Sequence, residues 1–170
     1  RAWGRPARTR AGERTPMNLR VEVVIRNEQP CPVDESAIER VVCLTLGHAA
    51  GERAAECEVS LLLVEPDAIR ALNARHRAID MPTDVLSFPQ LDPFTVAPGE
   101  ILGDVVVCPE ITNRQADAAG RRREDELLEV VAHGVLHLVG YDDGTPEGYD
   151  AMVELQRRAV ADAARWEGTQ

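Results

Sequence analysis

The chain has 170 residues, of which 44% are hydrophobic and 28% charged, a composition that excludes disordered and fibrous classes and fits one domain with a sizeable core. Its longest apolar stretches, such as residues 59–64, fall far short of the ~20 residues a membrane-spanning helix requires. Nineteen basic residues, all arginine, stand against 29 acidic ones for a net charge of −10, so there is no generic attraction to nucleic acid and any such role must rest on a local patch.

Residues 1–16 (RAWGRPARTRAGERTP) hold five arginines and one acid, a net of +4, which leaves −14 on residues 17–170. They lack an apolar run and read as a disordered Arg-rich extension ahead of Met17, with residues 17–170 forming the single domain. Residues 19–26 (LRVEVVIR) are rich in β-branched side chains and predict a strand, closed by Asn27 and Pro30. Residues 33–46 carry apolar side chains at helical spacing up to Gly47. A second strand is expected over 56–64, stopped by Pro66, and a second helix over 67–76. Residues 85–88 and 101–108 predict two more strands, separated by a loop that contains Pro89, Pro93, Pro98 and Gly99. A helix over 109–119 ends at Gly120, and a strongly apolar one follows over 124–139, with Glu124, Asp125 and Glu126 where the helix dipole favours acids. Thr145 caps a final helix that has Pro146 in its first turn and Met152, Leu155, Ala159, Ala163 and Trp166 on its buried face. The order predicts one α/β (α+β) domain with a small mixed sheet of about four strands packed with helices.

The four cysteines, Cys31, Cys43, Cys57 and Cys108, form no CxxC pair and read as reduced, largely buried thiols of a cytoplasmic protein. Gly103 within a strand predicts a bulge or a close backbone approach. Thr83, Asp84 and Ser87 read as turn and capping residues, and Asp104 either as a structural residue or as a partner of a ligand histidine.

The chemistry concentrates in one segment. His133 and His137 lie four apart on one helix face, where two imidazoles reach a single metal ion. Gly140 can stop the helix with positive φ and turn the chain back, bringing Asp143 to the histidines. The pattern H-x3-H-x2-G-x2-D therefore predicts a site with two nitrogens, one oxygen and an open position for water, with Asp142 a competing carboxylate. A peptidase of the HExxH kind has its glutamate base after the first histidine; Gly134 stands there instead, which argues against that activity.

HGVLHLVGYDD resembles the H-G-x-L-H-L-x-G-Y-D-H signature of the YbeY family of bacterial metal-dependent endoribonucleases. Residues 77–88 (RAIDMPTDVLSF) and 102–115 (LGDVVVCPEITNRQ) are similar to two further family segments, and the match runs in order across roughly residues 17–165. The resemblance implies a zincin-like fold, one divalent ion, zinc in the family, and single-stranded RNA as substrate in maturation of small-subunit (16S) rRNA. It implies His133 and His137 as metal ligands with Asp143 where the family has its third histidine, and Arg77 as the catalytic arginine. Partners so implied are the ribosomal small subunit and its assembly factors, with neither membrane nor DNA. Arg121, Arg122 and Arg123, with Arg114 nearby, form the best local patch for an RNA backbone, set against the plainer reading of a solvated face. A ribosome-assembly or RNA-binding factor with a weakened metal site is the alternative function.

Overall fold

In a computed structural model of the chain, residues 20–49, 56–90 and 100–166 are described; the Arg-rich segment 1–16 and most of the proline-rich loop before residue 100 lie outside them. The elements follow the expected order: β1 (Arg20–Asn27), α1 (Glu35–Ala49), β2 (Glu56–Leu63), α2 (Pro66–Arg77), β3 (Val85–Pro89), β4 (Ile101–Val107), α3 (Pro109–Ala119), α4 (Arg123–Leu138) and α5 (Pro146–Ala164). The four strands form one mixed sheet in the order β1-β2-β4-β3. β2 pairs in parallel with both β1 and β4, whereas β3 lies antiparallel to β4 at the edge.

Alternation along the central strands explains why helices cover the sheet on both faces. Val59, Leu61 and Leu63 of β2, with Val105 and Val107 of β4, join the main core that contains α1, α4 and α5. Val106, Val64 and Cys108 belong to a smaller cluster with Ile69 of α2 and Leu86 of β3. Two-sided burial suits the near-continuous apolar runs of these strands. Among the described residues, no helix is long and apolar enough to cross a membrane.

Both structural readings of Gly103 hold. The β2–β4 register slips between Glu58 and Val59, whose partners are Ile101 and Gly103, so β4 carries one extra residue. A Cβ on Gly103 would also stand 2.6 Å from the Phe88 carbonyl oxygen and 2.8 Å from Leu138 Cδ2. Thr145 caps α5, its hydroxyl accepting from the Gly148 N–H at 3.1 Å. The four thiols are free, Cys57 and Cys108 are buried, and burial pushes the Cys43 thiol up to about 11.

One expectation is corrected. Trp166 is 53% exposed and takes no part in the buried face of α5, because the helix ends at Ala164 and its 3.6-residue period does not continue to residue 166. Leu155 is only partly buried, so Met152, Ala159 and Ala163 carry that face.

Gly134 sets how closely α4 approaches the sheet. A Cβ there would meet Val105 Cγ1 at 2.7 Å and Val85 Cγ2 at 3.0 Å, both on stiff β-branched side chains. Gly134→Ala gains about 1 kcal/mol of helix propensity, yet overpacking costs about 1–3 kcal/mol. The expected outcome is a net loss of about 1 kcal/mol, read as a lower urea midpoint at unchanged slope. A variant more stable than the parent would show that the helix does not rest on β4 in this way.

Candidate metal centre

The last turns of α4 and the turn after it build the site. Val139 follows the helix, Gly140 takes φ 88°, the Tyr141 N–H donates to the Leu136 carbonyl at 3.1 Å and the Gly140 N–H to that of His137 at 3.1 Å. This pair of bonds is the Schellman arrangement, and the positive φ at Gly140 is what it requires. It reverses the chain immediately after His137 and returns residues 141–143 to the histidine face. The His137 Nδ1–H then donates to the Tyr141 carbonyl at 3.0 Å, which fixes the tautomer and turns the Nε2 lone pair inward.

The three expected ligands come together. His133 Nε2 and His137 Nε2 are 3.0 Å apart, Asp143 Oδ2 lies 3.5 Å from the first, and Asp143 Oδ1 lies 3.9 Å from the second. Ligand atoms 2.0–2.2 Å from one tetrahedral ion stand about 3.3–3.6 Å from each other, so these spacings fit a single ion after small adjustments. Two imidazole nitrogens converging beside a carboxylate are the donor set of a borderline divalent cation. The negative end of the α4 dipole points the same way and favours a cation there. Burial, with the neighbouring His137, holds the His133 imidazole below its usual pKa, which favours the neutral form that ligates metal.

The competing carboxylate has another task. Asp142 Oδ1 accepts the Gly144 N–H at 2.9 Å, so it shapes the turn while Asp143 faces the histidines. Gly134 faces the sheet, and the Ser87 hydroxyl donates to its carbonyl at 2.9 Å, tying β3 to α4 beside His133. Asp84, at the start of β3, is bound by the Val85 N–H and the Thr83 hydroxyl, as its reading as a turn residue required. Asp104 accepts from Gln90 rather than from a histidine, so its role is structural.

The candidate arginines divide into two groups. Arg77 is exposed in the last turn of α2, and no ion pair links it to another described residue. The loop after it leads through Asp84 to β3, the strand that packs beside His133. By contrast, Arg121 pairs with Glu126 and Glu129, Arg122 with Glu124, Arg123 with Asp117, and Arg114 with Glu110. Arg123 begins α4 ten residues before His133, about 15 Å along the axis, so the structure does not bring this run to the histidines.

A four-stranded mixed sheet backed by a helix that presents an H-x3-H pair makes this a mixed α/β domain with a candidate metal-binding helix. The chain belongs to the YbeY family: the model described as "Endoribonuclease YbeY" matches residues 24–164. Among curated relatives of that name, the protein of Salinispora tropica is 40% identical over 152 residues, covering 83% of this chain and 95% of the relative. That of Rhodopseudomonas palustris is 39% identical over 137 residues, covering 77% of this chain and 80% of the relative. The solution structure of TM1509 from Thermotoga maritima superposes with a TM-score of 0.56 at 30% identity, covering 83% of this chain and 88% of that one.

Proposed function

We propose that this chain is a metal-dependent endoribonuclease that hydrolyses single-stranded RNA during maturation of 16S rRNA in the cytoplasm, with the ribosomal small subunit and its assembly factors as partners. Family membership supports the RNA-cleaving activity. The observation that carries the metal-dependent mechanism is the convergence of His133, His137 and Asp143, whose ligand atoms all lie within 4.8 Å of one another. A bound divalent ion, zinc in this proposal, supplies an activated water near neutral pH and polarises a phosphoryl oxygen.

The chain's own groups do the rest. His133 and His137 hold the ion through Nε2, and the Tyr141 carbonyl keeps the His137 ring oriented. Asp143 supplies the third ligand and, unlike a histidine, an anionic charge that tempers the ion's acidity. Arg77, with no carboxylate among the described residues to give up, is the group that pairs with the phosphate and stabilises the charge growing on it.

The test is cleavage of a labelled single-stranded RNA by the purified full chain, with a chelator and with added Zn²⁺. Cleavage that the chelator abolishes and the metal restores supports the proposal; RNA or ribosome binding without cleavage assigns the chain to the assembly factors instead. The arginine run has its own test. Its ion pairs favour a solvated helix start over an RNA patch, so replacing Arg121, Arg122 and Arg123 together with Ala is expected to leave the salt slope of RNA binding nearly unchanged. A slope reduced by two or more would restore the patch.

A further inference from the structure

His133 and His137 face the candidate ion through the same atom, Nε2, so in the neutral metal-bound ring each must carry its proton on Nδ1. For His137 the acceptor is the Tyr141 carbonyl. No backbone carbonyl plays that part for His133 among the described residues, because the ring projects from inside α4 rather than from its end. The residue across from it is on α5. That helix packs on α4 with Met152, Ala159 and Ala163 buried, and Gln156 interrupts this apolar face one turn after Met152. The Gln156 side chain is near enough to the His133 ring to help hold its proton, and its Oε1 is buried with no hydrogen-bond partner among the described residues. A buried amide oxygen left unfilled is costly unless a donor reaches it in some state of the protein.

We propose that Gln156 is a positioning residue of the metal centre: its Oε1 accepts the Nδ1–H of His133 and so leaves the Nε2 lone pair free for the ion. The role rests on the metal-binding reading above. It gives the two histidines matched supports, one from the turn after α4 and one from the facing helix. It also accounts for a polar residue on an otherwise apolar stripe.

The experiment measures Zn²⁺ affinity by competition with a chromophoric chelator, for the parent and for Gln156→Leu and Gln156→Glu. Gln156→Leu is close in size and has no acceptor; it is expected to weaken Zn²⁺ binding 10- to 100-fold. Its metal-free thermal midpoint should be unchanged or raised, because an unsatisfied buried group has been removed, an outcome that a merely structural role for Gln156 would not produce. Gln156→Glu keeps the acceptor and should bind within about threefold of the parent. Nitrogen-15 spectra of the zinc-loaded parent should show the His133 ring protonated at Nδ1 in slow exchange, a readout that stands even if Gln156→Leu does not fold. Equal affinities for the parent and Gln156→Leu, or a Gln156→Glu protein as weak as the leucine variant, overturn the positioning role while leaving the metal site intact. A parent that binds no Zn²⁺ overturns both.

Discussion

Arg77→Ala is expected to lower the single-turnover rate of RNA cleavage about 100- to 1,000-fold, equivalent to about 3–4 kcal/mol of transition-state stabilisation. Metal content and thermal midpoint should stay at parental values, because the side chain is exposed and no described residue forms an ion pair with it. The same freedom is what the proposed role in phosphate binding requires. A guanidinium already shared with Glu126 and Glu129, as in Arg121, must exchange those partners before it can meet a phosphate; Arg77 has no ion pair with a described residue to break. Arg77→Lys retains the charge but loses the fork of donors, and should fall between parent and alanine. Arg75→Ala, two residues away on the same helix turn, serves as the control and should change the rate much less. If Arg77→Ala cleaves at the parental rate, the phosphate is held by another group.

Loss of the metal should have the larger effect. Purified parent is expected to carry about one equivalent of divalent ion by mass spectrometry, and His137→Ala to carry almost none, with cleavage falling to background in that variant. Removing His137 takes away the ligand nitrogen and also the ring that the Tyr141 carbonyl holds in place. Asp143→Ala leaves both nitrogens and should bind the ion weakly enough to be stripped by dialysis against a chelator. Asp143→His should regain a full equivalent, because the turn after Gly140 already brings residue 143 to 3.5 Å from His133 Nε2. A parent that holds no metal even after reconstitution would remove the catalytic reading and leave a ribosome-assembly or RNA-binding factor.

Much of the candidate site was legible before any tertiary contact was known, and the reason is its locality. His133 and His137 share a face because the backbone of a helix turns 3.6 residues at a time. Asp143 returns to them because a glycine can adopt the positive φ that reverses a chain within three residues. Strand and helix positions were equally readable from period and punctuation: Pro66, Gly120, Thr145 and Pro146 mark element ends within a residue or two of where they fall. Trp166 shows where that reasoning stops, since an apolar residue in phase with a helix is buried only if the helix reaches it.

Which of several available partners a side chain takes had to come from the folded protein, even where those partners lie near it in the chain. Spacing left Asp142 and Asp143 as rivals, and only the turn's own hydrogen bonds separated a capping carboxylate from one that faces the histidines. Arg121, Arg122 and Arg123 make the same run of charge whether bare or paired; the approach of Glu129, Glu124 and Asp117 is what neutralises it. Gly134 reads in one dimension as a missing glutamate, and in three as the point where α4 rests on β4, with no room for a side chain. Gln156 lies 23 residues after His133 on a different helix, so no local period links them. Backbone geometry dictates which residues share a face of one element, whereas which faces meet is decided by packing the whole core at once.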